Sequence, residues 1–239
     1  MLVSTKAIVL SKIRYKDHDL IVKCYTKDFG ISTYLIKNVL KTKKGKFKPA
    51  YFQPLSILDI EVDYKNNRSL QYFKDVKLHF NYSTLHNNVI KSAIIMFLSE
   101  ILSTTLNEEE QNLALYNFLE TTFIWFDQNG FNANFHLIFL IKFTKYLGFY
   151  PGLPQKEDKY FNLEEGKFQL IKTGRHCVSR DNLNLLKQLL GIKFDESKLL
   201  VINSNQKREF LNMILLYFKL HLDGFKQPKS VIILNQVFN

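Results

Sequence analysis

The sequence predicts an α+β protein: a small five-stranded barrel followed by a helical body. Three observations predict it. Residues 1–80 break into short β-branched and aromatic runs separated by brief polar turns. From Asn81 onward the apolar residues recur at helical spacing instead. The formal net charge of +11 lies mostly in the first part, where residues 1–80 carry 16 Lys and Arg against 7 Asp and Glu.

The strands follow in order. "KAIVLSKIRY", residues 6–15, is apolar with alternation in its second half. Residues 18–26 alternate more regularly and place Leu20, Val22 and Cys24 on one face. Residues 31–39 are β-branched and aromatic, and the turns "KDHD" and "KDFG" between these runs carry ordinary Asp and Gly turn chemistry. After a lysine-rich stretch come strands at 56–64 and 70–78, joined by the polar turn "KNNRS". Closing five strands removes the exposed sheet edges that a domain this small would otherwise leave, so an OB-fold barrel over residues 1–80 is the leading expectation.

Residues 81–239 read as the helical domain. Residues 86–106 form a first helix. A second is expected from Asn107, as N-cap, with Glu108, Glu109 and Glu110 in its first turn, where carboxylates complement the helix dipole. A very apolar third helix ends at Gly148 and Pro151. Residues 151–176 break the pattern and suggest a loop with a hairpin around residues 164–166. Two helices follow, one with Ser179 as its cap and one starting near Gln206, and then the tail "FKQPKSVIILNQVF".

Composition bounds the function. Hydrophobic residues make up 46% of the chain, enough to bury a core. Two cysteines, Cys24 and Cys177, cannot make a disulfide framework and suit a reducing compartment, and Cys24 falls on an apolar strand face where thiols are inert. The amino terminus does not read as a signal peptide, and no run is long and apolar enough to span a bilayer, so a soluble, intracellular protein with no membrane partner is expected. No GxSxG, P-loop, GxGxxG or HExxH pattern is present, so the chain is not read as an enzyme and no catalytic residue is assigned. His176 beside Cys177 lacks the further ligands that a metal needs, and no cofactor is expected.

The strongest electrostatic feature is "KNVLKTKKGKFK", which holds Lys37, Lys41, Lys43, Lys44, Lys46 and Lys48 within twelve residues. Lysines near phosphates displace condensed counterions, and aromatic rings among them offer faces on which bases stack. The expected DNA-binding set is these six lysines with Lys12, Arg14, Tyr34 and Phe47; a core role for Phe47 stays open. On the third helix, Lys142 and Lys145 either solvate an otherwise apolar core helix or form a basic rim that would suit a short acidic peptide. Two other readings remain. One is an OB-fold RNA-binding protein of translation or ribosome assembly. The other is a nuclease using Asp59, Glu61 and Asp63, which alternate along one strand and face the same side.

The order of features resembles the RecO family of bacterial recombination mediators. "KAIVLSKIRYKDHDLIVKCYTKDFGISTYLIKNV" is similar to the family's opening three strands. The basic segment followed by "QPLSILDIEV" resembles its Gln-Pro signature, "YLGFYPGLP" its Leu-Gly turn, and "YFNLEEGKF" its hairpin. The resemblance implies an OB-fold followed by a helical domain. It also implies binding to single- and double-stranded DNA, annealing of complementary strands, capture of the acidic tail of single-stranded DNA-binding protein (SSB), loading of RecA with RecR, and a cytoplasmic, nucleoid-associated location. Many members carry a four-cysteine zinc site around the hairpin. Here residues 151–177 hold only Cys177, so the loop is degenerate and is expected to be held by packing of Tyr160, Phe161 and Phe168.

Overall fold

The computed structural model describes residues 1–41, 47–65, 67–130, 132–196 and 200–238. The chain forms two compact units, residues 1–130 with 228–234, and residues 131–227 with 235–239.

In the first unit β1 (Leu2–Tyr15), β2 (Asp19–Thr26), β3 (Gly30–Ile36), β4 (Ile57–Asp63) and β5 (Phe73–Leu78) form an antiparallel sheet in the order β3-β2-β1-β4-β5. The sheet closes where β3 meets Gln71, two residues before β5. Leu35 N–H donates to the Gln71 carbonyl at 3.0 Å, and Gln71 N–H donates to the Thr33 carbonyl at 2.8 Å. The closing pair Tyr34–Gln71 is parallel, which completes the five-stranded OB-fold. Alternation drives the closure. Leu20, Val22 and Cys24 on β2 and Leu58, Ile60 and Val62 on β4 fill the interior, while Asp59 and Glu61 face outward. Each such aliphatic side chain contributes about 1.5–3 kcal/mol by leaving water.

A bulge at Leu10 interrupts the β1–β2 register between Val9 and Ser11. It turns the Leu10 carbonyl toward α1 (Val89–Thr105), where the Ser99 hydroxyl donates to it. Between β3 and β4, a 3-10 turn (Pro49–Phe52) drives Phe52 into the barrel, and Leu55 adopts a left-handed backbone with φ 61°. Leu55 N–H donates to the Val9 carbonyl at 2.8 Å and its carbonyl accepts from the Tyr82 hydroxyl at 3.1 Å. The Gln-Pro-Leu stretch is therefore the corner that fixes β4 against β1.

The second helix corrects the sequence expectation. α2 spans Leu113–Gln128 and is capped by Asn112, whose side chain accepts from Leu115 N–H. Glu108, Glu109 and Glu110 lie outside the helix. Their segment crosses the β2–β3 turn, where Ile31 N–H donates to the Glu108 carbonyl at 2.9 Å. Gly30, at φ +59°, makes this approach feasible; a Cβ there would lie 2.4–2.8 Å from the backbone of Glu108 and Glu110.

Several lysines of this unit hold it together. Lys23 Nζ donates to the carbonyls of Ser103 at 2.6 Å and Leu106 at 3.0 Å, capping the end of α1. Lys6 pairs with Glu120 of α2 at 3.0 Å. Lys91 is buried, and its ammonium donates to the Thr84 hydroxyl and the carbonyls of Phe126, Asp127 and Asn129. Asp127 in turn accepts from the N–H groups of Ser83, Thr84 and Leu85. Residues 83–85, which follow the barrel, are thus locked to the end of α2.

The second unit contains α3 (Phe135–Tyr146), a three-stranded sheet of β6 (Tyr160–Asn162), β7 (Lys167–Gln169) and β8 (Cys177–Val178), then α4 (Arg180–Leu189) and α5 (Ser204–His221). α4 begins after Ser179 as expected, though the Ser179 side chain makes no capping bond. Asn203 caps α5 through a reciprocal pair with Gln206. The tail, left without an element in the sequence reading, forms α6 (Val231–Val237).

Candidate nucleic-acid interface

The basic residues converge at one end of the barrel because of two hydrogen bonds. Leu40 N–H donates to the His18 carbonyl at 3.0 Å, and the Asp19 carboxylate accepts from Asn38 N–H at 2.8 Å. Asn38 takes a left-handed backbone, φ 56°, that turns the chain back after β3. These bonds bring the β1–β2 hairpin, with Lys12, Arg14 and Lys16, next to the start of the lysine stretch at Lys37 and Lys41. All five side chains are exposed, as is Lys48, one residue after the described chain resumes at Phe47. Lys43, Lys44 and Lys46 lie outside the described residues.

Two members of the expected set have other roles. Tyr34 is fully buried, stacked on Phe73 with ring centroids 4.2 Å apart, so neither face is open to a base. Burial pushes its hydroxyl pKa well above the ordinary tyrosine value. Phe47 is partly buried against the barrel core, edge-on to Phe73 at 6.4 Å. With Phe52 it anchors the exit of the lysine stretch.

Sequence reasoning passed over Tyr72 and Arg68. Tyr72 is partly exposed, with the Lys37 ammonium 5.7 Å and the Arg68 guanidinium 5.2 Å from its ring centroid. The available signal was an arginine and a tyrosine bracketing the start of the fifth strand, close to the basic segment only once the barrel closes.

Two of the three acids of β4 make ion pairs. Asp59 contacts His79 at 3.1 Å, and Asp63 contacts Arg68 at 3.7 Å and the amino terminus at 3.6 Å. Among the described residues, no group of three or more His, Cys, Asp and Glu side chains is placed to hold a metal ion.

In the second unit, Lys142 is half-buried with its ammonium 5.7 Å from the Phe194 ring centroid, and Lys145 is exposed. Burial lowers the Lys142 pKa, Glu196 works against that, and Lys145 adds to it. The hairpin of residues 160–178 is knit by side chains. Phe161 is buried between Phe168 at 4.7 Å and Tyr217 at 5.7 Å. The Asn162 amide oxygen accepts from Glu164 and Glu165 N–H, and its nitrogen donates to the Thr173 carbonyl. The Cys177 thiol donates to that same carbonyl at 2.6 Å, and His176 pairs with Glu164 at 2.8 Å. One thiol and one imidazole, each engaged in this way, do not fit a tetrahedral zinc site.

A five-stranded OB barrel with a solvent-facing basic end, followed by helices, defines a basic OB-fold protein with a helical carboxy-terminal part. Residues 1–82 match the family model described as recombination protein O N terminal, and residues 86–230 match recombination protein O C terminal. Over the full length of both chains, the protein is 43% identical to the DNA repair protein RecO of Christiangramia forsetii, 43% to that of Flavobacterium psychrophilum and 32% to that of Bacteroides fragilis. The chain belongs to the RecO family of DNA repair proteins. Among the described residues, no helix is long and apolar enough to cross a membrane.

Proposed function

We propose that this protein is a non-catalytic recombination mediator. It binds single- and double-stranded DNA through the basic end of its barrel, anneals complementary strands, and with RecR helps to load RecA onto DNA coated with SSB. The observation that carries the reading is the hydrogen-bonded convergence of the β1–β2 hairpin with the start of the lysine stretch, which gathers exposed cations on one OB barrel. Lys12, Arg14, Lys37, Lys41, Lys43, Lys44, Lys46 and Lys48 would contact phosphates. Neutralising both backbones lowers the repulsion between two strands and lets them pair. No bond is made or broken in such a step, so no catalytic group is required.

The acidic tail of SSB is the partner assigned to Lys142 and Lys145. The half-buried Lys142, flanked by the Phe194 ring, supports that assignment, because a desolvated ammonium beside an aromatic face suits a carboxylate next to an apolar side chain. The hairpin of residues 160–178 folds without metal in this reading, held by Phe161 and the Asn162 network.

The test is annealing of two complementary fluorescent oligonucleotides coated with SSB. The protein should accelerate pairing, and acceleration should vanish when SSB lacks its acidic tail. Tight binding to bare DNA with no acceleration of annealing would reject the mediator reading.

A further inference from the structure

With Tyr34 and Phe47 packed into the barrel, the basic end needs another ring if it is to hold unpaired bases rather than charge alone. Tyr72 is placed for this. It directly follows Gln71, the residue that closes the barrel onto β3, so its backbone is fixed from both sides. Gln71 is buried, and its amide also fixes the neighbouring loop. Nε2 donates to the carbonyls of Lys65 and Arg68, both at 2.8 Å, and Oε1 accepts from Lys65 N–H at 3.1 Å. Arg68 is steadied further by Asp63 at 3.7 Å. Lys37 reaches the ring from the end of β3. A partly exposed aromatic on a rigid closure, with a cation from each of two elements over it, has the composition of a single-strand binding step, in which a ring takes a base and cations take the flanking phosphates.

We propose that Tyr72 is the base-stacking platform of a single-stranded DNA track across the barrel closure, with Lys37 and Arg68 moving from its ring to the phosphates on either side. This rests on the reading of the basic end as a DNA surface. A duplex keeps its bases stacked on one another and offers the ring nothing, so Tyr72 separates single strands from duplex while the exposed lysines serve both.

The experiment measures the affinity of the full-length protein for oligothymidylate and for a duplex of equal length, by fluorescence anisotropy. Tyr72→Ala should weaken single-strand binding roughly tenfold, the scale of one lost base stack, and leave duplex affinity within about twofold. Tyr72→Phe should restore the single-strand affinity. Should Tyr72→Ala fail to fold, Tyr72→Trp serves instead. Its indole emission should be quenched on saturation with oligothymidylate and not with duplex. Equal losses on both DNAs, no loss on either, or an unquenched Tyr72→Trp would overturn the platform. Lys41→Glu with Lys48→Glu, measured in parallel, should weaken both DNAs. If those lysine changes have no effect, the DNA surface itself is misplaced; if they act and Tyr72→Ala does not, only the platform fails.

Discussion

Two sets of lysines in the first unit carry the same charge and differ in what surrounds them. Lys6 and Lys23 of the barrel and Lys91 of α1 give their hydrogen bonds to carbonyls and a carboxylate at α1 and α2. Lys12, Lys37, Lys41 and Lys48 have exposed side chains with no carbonyl or carboxylate bonded to them among the described residues, although burial lowers the Lys12 pKa and Lys37 lies over the Tyr72 ring. A positive charge in this unit is therefore structural where helix carbonyls or a carboxylate engage it, and exposed elsewhere. The difference teaches that net charge overstates the binding surface: the amino-terminal excess includes cations that are already satisfied within the fold.

Lys91 carries the largest expected effect. Lys91→Ala removes the buried ammonium that serves the carbonyls at the end of α2, so unfolding in urea should show a loss of about 3–5 kcal/mol, while the folded fraction binds DNA as before. A loss of DNA affinity in the folded fraction would place Lys91 with the wrong set. Gly30→Ala, at a left-handed position crowded by the backbone of Glu108 and Glu110, should cost more than about 2 kcal/mol by the same measurement.

Asp127, next to Lys91, sharpens the account through pH. Burial opposes its ionisation, but hydrogen bonds from Ser83, Thr84 and Leu85 outweigh burial and hold its pKa below the ordinary 3.8. A carboxyl depressed by folding stabilises fully above its unfolded pKa and loses that contribution as pH falls through the folded value. Wild-type stability should therefore decline below about pH 4, and Asp127→Asn should be less stable at neutral pH with a shallower decline in acid. Equal acid slopes would remove Asp127 from the lock. The smallest effect is expected from chelation. EDTA should leave the melting temperature unchanged if the 160–178 hairpin folds without metal, and a fall in melting temperature would contradict that.

Much of this division was legible in the sequence, and the exceptions have physical causes. The barrel was readable because its strands alternate, and alternation survives wherever one face is buried. The same pattern already placed Tyr34 in phase with Ser32 and Ile36 on the inner face, so its burial could have been read. The start of α2 could not. Three glutamates satisfy the local rule for a first turn, yet their segment is claimed by a backbone contact with Gly30, distant in sequence. Tyr72 was equally hidden. Its importance depends on barrel closure bringing the end of β3 beside the start of β5, which no local spacing reports.

The lysine stretch is proposed as a DNA-backbone surface. The direct measurement is the affinity for a single strand across a series of salt concentrations, for wild type and for Lys43→Glu/Lys44→Glu/Lys46→Glu. If these lysines contact phosphates, reversal should weaken binding sharply and flatten the log–log salt slope by about 2, since each phosphate contact contributes roughly 0.7 on single strands. A variant with unchanged affinity and unchanged slope would contradict the claim.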